Sequence, residues 1–208
     1  MYTTFKEFYR RVKASEDDPE QATSQLAPFL SPLPVTLARK ARLMVEHFRA
    51  EVRSKIGGKV KAMVVASSRP HVVRYHQTFK RYIEEQGYKD VGVLVAFPGV
   101  IRDPDLDGVE FTEVTMNNGI KERELPQKQL LIVANEYLTG FDQPLLDALY
   151  VDAPISGVEA LQMLLGLNRV APGKEETFVL DFVNDWGGEL GAGKLSPWAA
   201  SRSASGAA

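Results

Sequence analysis

The chain has 208 residues, of which 44% are apolar and 25% charged, a balance typical of one soluble globular domain with additions. No apolar run approaches the roughly 20 residues of a membrane-spanning helix, and the N-terminus lacks a signal-peptide pattern. We therefore expect a cytoplasmic protein without a membrane partner. The sequence contains no cysteine, which excludes disulfides and thiolate metal sites, and its net charge of -2 argues against an overall basic surface.

The first part of the chain predicts helices. Residues 1–34 form a polar helical lead-in, because aromatic and apolar residues recur there at helical spacing. Residues 35–57 predict an amphipathic helix that packs on the core and ends at Gly57 and Gly58. Basic residues outnumber acidic ones between residues 36 and 61. This basic stripe has two interpretations, a phosphate-binding surface or a solvated helix face.

Strands and helices then alternate over residues 58–185. Short apolar runs predict buried strands, and Ser68 and Ser156 are placed to cap the helices that follow two of them. Glu159 completes a capping-box pattern with Ser156. This alternation indicates an α/β fold, a parallel sheet flanked by helices. Residues 186–208, rich in Gly, Ala and Ser, predict a flexible tail. The predicted strands are 62–66, 91–97, 130–134, 149–151 and 177–182, with one short strand in the loop 98–128.

Three ordered segments carry a family resemblance: 61–69, 139–144 and 162–174. They resemble helicase motifs IV, V and VI in the R subunit of type I restriction enzymes, a superfamily 2 translocase. The resemblance covers roughly residues 35–185. It implies that this region is the second RecA-like lobe of a motor, with ATP bound in the cleft between two lobes and DNA running across both.

The resemblance assigns the nucleotide site to motifs V and VI. Arg169 matches the arginine finger, the catalytic residue of motif VI, and Gln162 matches the start of that motif. Gly140 and Asp142 match the motif V residues at the nucleotide, Asp142 holding its ribose. The alternatives are a surface arginine at 169, an exposed glutamine at 162 and a turn aspartate at 142 that bonds its own backbone.

The chemistry of the residues in motif IV and at the start of motif V predicts contacts with DNA phosphates. Ser67, Ser68 and Arg69 lie where a strand leads into a helix N-terminus, which favours anions. Thr139 offers a hydroxyl and a backbone N–H to a phosphate. Helix capping is the alternative for the serines, and the two roles are compatible.

One position departs from the family pattern. Motif VI has an arginine three residues before Arg169, where this chain has Gly166, and Leu165 stands where a small polar residue is usual. Glycine supplies no charge and costs about 1 kcal/mol relative to alanine inside a helix. We expect this copy of the motif to be impaired.

Other candidate sites are weaker. Residues 188–194 match the glycine and lysine spacing of a phosphate loop, but the next residue is Leu195 rather than a hydroxyl residue that could reach Mg²⁺. His71 and His76 are five residues apart, which does not place them on one helix face, so no metal site is expected.

The sequence therefore predicts the second lobe of an ATP-dependent DNA translocase. Its expected partners are double-stranded DNA, a first RecA-like lobe with a nuclease region, and other restriction-modification subunits. ATP and Mg²⁺ would bind only together with the first lobe, and the isolated chain would not be catalytic. Two alternatives stay open: a DNA- or protein-binding module that has lost motor function, and an unrelated nucleotide-binding α/β domain.

Overall fold

The computed structural model describes residues 2–4, 34–102, 108–120, 129–135, 143–174 and 176–183. The strands are β1 (Tyr2–Thr4), β2 (Lys61–Ala66), β3 (Gly92–Ala96), β4 (Val100–Arg102), β5 (Glu110–Thr112), β6 (Gln129–Ala134), β7 (Leu146–Asp152) and β8 (Phe178–Asp181). The helices are α1 (Pro34–His47), α2 (Arg69–Glu85), α3 (Glu113–Met116) and α4 (Gly157–Leu167). A π-helical turn (Phe48–Val52) and a 3-10 turn (Ile56–Gly58) follow α1.

A six-stranded sheet forms the centre of the molecule. Its strand order is β1-β8-β7-β2-β6-β3, and every pairing in it is parallel. The predicted α/β class, a parallel sheet flanked by helices, is confirmed. Because the strands are parallel, their carboxyl ends all lie at one end of the sheet and their amino ends all lie at the opposite end. We call these the carboxyl edge and the amino edge.

Both faces of the sheet are buried, which explains why its strands read as continuous apolar runs. Along β2, Ala62, Val64 and Ala66 face one hydrophobic cluster, which includes residues of α1 and α2. Met63 and Val65 face the other cluster, which includes residues of α4. The two clusters place α1 and α2 on one side of the sheet and α4 on the other.

The predicted amphipathic helix forms α1 and continues through the π-helical turn. Five apolar residues recur at helical spacing in this segment: Ala41, Met44, Phe48 and Val52 are at most 1% exposed, and Leu37 is partly buried. Burying each of the larger side chains contributes roughly 1.5–3 kcal/mol. Helix α1 therefore belongs to the hydrophobic core. None of the helices within the described residues has the length and apolarity to cross a bilayer.

Two local features differ from the sequence prediction. Residues 1–34 were expected to be a helical lead-in, yet Tyr2–Thr4 form an edge strand that pairs with β8 in the register Tyr2–Val179 to Thr4–Asp181. The segment after β3, expected to be a loop with one strand, forms the antiparallel hairpin β4–β5 and the short helix α3. Residues 5–33, predicted to be helical, and 184–208, which include the predicted tail, lie outside the described residues.

Candidate functional site

The carboxyl end of β2 carries the serines predicted to hold phosphate. Ser68 is the N-cap of α2, and its Oγ accepts a hydrogen bond from the backbone N–H of His71 at 3.4 Å. The Nδ1 atom of His71 lies 2.9 Å from Ser68 Oγ and 3.1 Å from Ser67 Oγ. The predicted capping is therefore confirmed, and the imidazole of His71 links both hydroxyls while Ser67 stays exposed at the strand end.

Arg69 extends this edge toward β3. Its Nη1 donates a hydrogen bond to the backbone carbonyl of Pro98 at 3.3 Å, in the connection that follows β3. Gly99 has a φ of +79°, a left-handed conformation that favours glycine, and a Cβ there would lie 3.9 Å from Arg69 Nη1. The exposed side chain of Arg69 thus bridges the carboxyl ends of β2 and β3.

Asn135 is a polar residue at this edge that the sequence reasoning missed. It follows β6 directly, and the last registered pair of β2 and β6 is Ala66 with Ala134. Asn135 and Ser67 are therefore neighbours at the ends of adjacent strands. The signal was present in the sequence, because Asn135 is the first polar residue after an apolar run that predicts a strand.

The segment that resembles motif VI begins on α4. The predicted capping box is confirmed: the backbone N–H of Ser156 donates to Glu159 Oε2 at 2.8 Å, and the backbone N–H of Glu159 donates to Ser156 Oγ at 3.4 Å. The first of these hydrogen bonds lowers the pKa of Glu159. Gln162 and Arg169 are both exposed and are separated by about two helical turns. The structure therefore places both predicted motif VI residues on the solvent side of this element, away from the hydrophobic interior.

Helix α4 runs from the carboxyl edge back to the amino edge. Its start follows β7, and the backbone carbonyl of Leu167, its last residue, lies 2.5 Å from Lys174 Nζ. The same Nζ donates to the carbonyl of Pro144 at 3.2 Å, just before β7 begins. Arg169 thus leaves α4 at the amino edge, opposite to the edge that carries Ser67 and Arg69.

We call the contact of Lys174 with the end of α4 and the start of β7 the junction. A buried carboxylate acts on the charge of Lys174 there. Asp147 is the extra residue of a β-bulge in β7, since Lys61 pairs with Leu146 and Ala62 with Ala148. Asp147 is 1% exposed, and Lys55 Nζ lies 3.0 Å from its Oδ2. Within the described residues, no donor is aligned for a hydrogen bond with either carboxylate oxygen of Asp147.

Asp147 influences the groups around it. Burial lowers the pKa of Lys174, and the negative charge of Asp147 opposes that change. Burial and the same charge raise the pKa of Tyr150 well above its ordinary value. The hydroxyl of Tyr150 lies 2.8 Å from His47 Nδ1, and burial together with Lys55 lowers the pKa of His47 to about 4. The pairs Lys55–Asp147 and His47–Tyr150 thus influence each other through the charges of Lys55 and Asp147.

At the opposite end of β7, Asp152 has two close partners. Lys40 Nζ lies 2.6 Å from Asp152 Oδ1, and the Tyr75 hydroxyl donates to Asp152 Oδ2 at 2.5 Å. Burial and the Asp152 charge raise the pKa of Tyr75 well above its ordinary value. This network fastens α1 and α2 to the carboxyl edge through one carboxylate.

Four of the eight basic residues of the stripe form ion pairs in the structure. Arg49 and Arg53 both pair with Asp90, and the Arg49 guanidinium lies 3.4 Å from the centre of the Tyr88 ring. Lys40 and Lys55 pair with Asp152 and Asp147, and Lys61 is buried. These contacts give half of the stripe a structural role and weaken its interpretation as a phosphate-binding surface.

The other predicted site residues lie outside the described part of the chain. Thr139, Gly140 and Asp142 fall in the segment 136–142, and the phosphate-loop-like sequence falls in 184–208. Among the described residues, no group of three or more His, Asp or Glu side chains could hold a metal ion. The described site residues thus form two separate groups, Ser67–Arg69 at the carboxyl edge and Arg169 with Lys174 at the amino edge.

Comparison with known proteins identifies the relatives of the chain. Residues 108–184 match the family model for type I restriction enzyme subunit R domain 3. Over 167 residues, 28% are identical to an endonuclease subunit assigned to the type I restriction enzyme MjaVIIP of Methanocaldococcus jannaschii. Over 151 residues, 28% are identical to the type I restriction enzyme HindI endonuclease subunit of Haemophilus influenzae. The chain is therefore similar to part of the type I restriction enzyme R subunits.

The chain spans only a small part of the length of these relatives. The MjaVIIP match covers 72% of this chain and 15% of that subunit, and the HindI match covers 67% of this chain and 14% of that subunit. Among solved structures, domain 2 of the DEAD-box helicase Mss116p, bound to an RNA duplex, superposes with a TM-score of 0.45 at 17% identity, over 72% of this chain and 52% of that one.

The family match covers the amino-edge group but only part of the carboxyl edge. Residues 108–184 include α4, Arg169, Lys174 and Asp147, which belong to the amino-edge group or lead to it. Ser67–Arg69 lie outside the matched residues. The sequence gives no signal for the role of Lys174 at this edge. Its contacts join segments that lie thirty residues apart in the chain.

Proposed function

We propose that this chain is the second motor lobe of an ATP-dependent DNA translocase of the type I restriction R-subunit kind. In this proposal Arg169 is the arginine finger, and Gln162, Gly140 and Asp142 complete one wall of an ATP site. The observation that carries the proposal is the exposed Arg169, which follows a capped helix within the residues matched by the R-subunit domain model.

The chemistry of phosphoryl transfer explains why such a residue would be useful. The transition state spreads negative charge over the transferred group, and catalysis depends on positioning and charge stabilisation. A guanidinium supplied by one lobe to a phosphate held by another makes hydrolysis depend on lobe closure. An exposed arginine at the end of a helix can reach such a partner, whereas a buried one could not.

The remaining parts of the site belong to a first lobe. That lobe would supply the phosphate loop and the Mg²⁺ site, so we propose that ATP and Mg²⁺ bind between the lobes and that the chain alone hydrolyses no ATP. The motor would work in the cytoplasm on double-stranded DNA, together with a nuclease region and other restriction-modification subunits.

The carboxyl edge is the proposed DNA contact. Ser67, Ser68 and Thr139 offer hydroxyl groups, Arg69 offers a positive charge, and the first turn of α2 offers backbone N–H groups. Such contacts bind the phosphate backbone without reading sequence. Target choice would then lie with another subunit.

A chimera tests the proposal. Residues 34–183 would replace the matching segment of the HindI endonuclease subunit, and DNA-dependent ATP hydrolysis would be measured with the isolated chain as the control. We expect hydrolysis by the chimera that Arg169→Ala removes, and none above background by the isolated chain. Turnover by the isolated chain, or a chimera whose activity is indifferent to Arg169→Ala, would overturn the proposal.

One observation favours a second candidate, a DNA- or protein-binding module without motor activity. Gly166 gives α4 no second arginine, and the neighbouring Leu165 is 62% exposed. Val158 and Leu161 extend this apolar face, at 69% and 49% exposure. Gly166→Arg in the chimera separates the two candidates. If Gly166 impairs the motor, the substitution should raise the ATPase and translocation rates. Unchanged rates would exclude Gly166 as the cause of an impaired motor.

A further inference from the structure

Lys174 joins two segments that are distant in sequence. Its ammonium group donates to the carbonyl of Leu167 at 2.5 Å and to the carbonyl of Pro144 at 3.2 Å. Leu167 ends α4, where backbone carbonyls lack partners within the helix and carry partial negative charge. A lysine has three donors, so one side chain can satisfy carbonyls from both segments. Lys174 therefore fastens the end of α4 to the entry of β7.

The backbone around Lys174 is itself held in place. The N–H of Lys174 donates to the carbonyl of Ala171 at 3.0 Å, which closes a turn through Gly173. Gly173 has a φ of +80°, and a Cβ there would lie 3.8 Å from the Cα of Ile56. This turn thus packs against the segment that leads into β2, and Lys174 reaches its two carbonyls from a fixed base.

The residue before Arg169 is also held. Thr177 Oγ1 donates to Asn168 Oδ1 at 3.1 Å, and the backbone N–H of Asn168 donates to the carbonyl of Leu164 at 3.0 Å. With the Lys174 contact to Leu167, the chain is fixed immediately before Arg169. Val170, the residue after Arg169, is 95% exposed. The contacts that hold this part of the chain are therefore those of Leu167 and Asn168, which precede Arg169.

Asp147 supplies a countercharge for this arrangement. Its buried carboxylate lies close enough to favour the charged form of Lys174, although burial favours the neutral form. Lys55, which pairs with the same carboxylate, is 36% exposed and can be hydrated. The position of Asp147 in the β7 bulge therefore helps keep an ammonium group, with its full set of donors, at the junction.

We propose that Lys174 is a positioning residue for Arg169. By tying the end of α4 to the Pro144 segment, it fixes the direction in which the Arg169 guanidinium leaves the domain. This inference rests on the proposed function for its catalytic meaning, while the restraint itself is a property of the isolated chain. Lys174 makes no contact with nucleotide in this proposal and acts through Arg169.

Spin labels test the restraint in the isolated chain. The natural sequence has no cysteine, so Pro144→Cys and Val170→Cys create two specific labelling sites, both exposed. We expect a narrow interlabel distance distribution by electron paramagnetic resonance, at least doubled in width by Lys174→Met and restored by Lys174→Arg. Lys89→Met, at an exposed lysine outside the junction, is the matched control and should leave the width unchanged.

Circular dichroism and urea unfolding establish that each labelled variant is folded. An unchanged width in folded Lys174→Met would overturn the restraint. If Lys174→Met does not fold, Lys174→Gln replaces it, because the amide keeps a donor and removes the charge, and the same two outcomes decide.

The HindI chimera tests the catalytic meaning. We expect Lys174→Met to lower kcat for ATP at least tenfold with KM changed less than twofold, and Lys174→Arg to recover kcat to within threefold. If Lys174→Met broadens the interlabel distances in the isolated chain but leaves kcat of the folded chimera normal, the positioning role is overturned. A chimera that hydrolyses no ATP with Lys174 present would instead refute the proposed function, and the spin-label widths would then decide the restraint independently.

Discussion

The two edges of the sheet present different chemistry. The carboxyl edge offers exposed hydroxyls, a helix N-terminus and Arg69, which is the usual composition and place of a ligand site in an open α/β sheet. The amino edge instead has Lys174, Lys55 and Asp147 partly or fully buried, and Arg169 beyond them. Because α4 returns antiparallel to β7, a single helix carries motif VI from one edge to the other. One small domain can therefore offer two faces to two partners.

The contrast extends to the two aspartates of β7. Asp152 at the carboxyl edge has a close partner for each oxygen, Lys40 and Tyr75. Asp147 at the amino edge pairs with Lys55 and has no aligned hydrogen-bond donor among the described residues. Satisfied carboxylates fasten elements together, whereas an unsatisfied one costs free energy of folding and is retained where its charge is useful. This difference is consistent with a structural role for Asp152 and a site role for Asp147.

The largest expected effect separates Arg169 from Arg69. In the HindI chimera, Arg169→Ala should lower kcat for ATP by about 10³-fold or more. The negative charge on the transferred phosphoryl group would no longer be stabilised by a guanidinium in the transition state. Arg69→Ala should leave kcat at saturating DNA unchanged and reduce the salt dependence of DNA binding by about one counterion. Steady-state kinetics and a salt titration of binding measure both. Equal effects of the two variants on kcat would remove the distinction between the edges.

The second prediction compares the aspartates in the isolated chain. Asp152→Asn should lower the free energy of unfolding by roughly 3–5 kcal/mol, because it leaves the buried Lys40 without a countercharge. Asp147→Asn should cost about 1 kcal/mol, since Lys55 can turn to water and the amide carries no charge to bury. Urea unfolding monitored by circular dichroism gives both values. A larger loss for Asp147→Asn would reverse the roles assigned here.

The third prediction concerns pH. Burial, aided by Lys55 for His47 and by Lys80 for His76, lowers the pKa of each histidine to about 4, so the folded state keeps both neutral. The unfolded chain protonates them near pH 6.5, so this stability is complete above pH 6.5 and is lost as pH falls toward 4. The loss is roughly 3 kcal/mol for each histidine at pH 4.

Variants separate the two histidines. His47→Gln and His76→Gln should each flatten the difference in unfolding free energy between pH 6.5 and 4 relative to the natural chain. At pH 7, His47→Gln should be the more costly, because His47 bonds Tyr150 whereas His76 Nε2 is buried without a hydrogen bond among the described residues. Urea unfolding at a series of pH values provides the comparison. An unaltered pH dependence in either variant contradicts the prediction for that residue.

The smallest expected effect uses two matched helix caps. Ser68→Ala and Ser156→Ala should each lower the free energy of unfolding by about 1 kcal/mol, because each serine Oγ accepts from a backbone N–H in the first helical turn. Ser68→Ala should also weaken DNA binding, whereas Ser156→Ala should not. Thermal unfolding and a DNA titration measure the two properties. Equal DNA affinity of both variants would leave Ser68 as a cap without a ligand role.

Local patterns predicted the elements of the fold well. The apolar runs 62–66 and 130–134 are buried strands, and the spacing of Ser156 and Glu159 predicted a capping box that forms. The alternation of these strands and helices predicted the α/β class. The strand and capping signals each lie within a few residues of sequence, where helix and strand periods and capping chemistry act directly.

Contacts between distant segments could not be predicted. The charges of the basic stripe left two interpretations open, because its partners Asp90, Asp147 and Asp152 come from other elements. Tyr2–Thr4 pair with β8 more than 170 residues later, and no local pattern encodes such a pairing. Lys174 could not be distinguished from a surface lysine, because its role depends on two backbone carbonyls that only the fold brings together.

The pairing of β1 with β8 also bears on self-association. In the described sheet, β1 covers the outer edge of β8, so the backbone N–H and C=O groups of Val179–Asp181 face a strand of the same chain. Removing the first four residues would leave this edge uncovered, and an uncovered edge is a template for a strand from another molecule. Such a truncation would therefore favour dimers or aggregates formed by intermolecular strand addition.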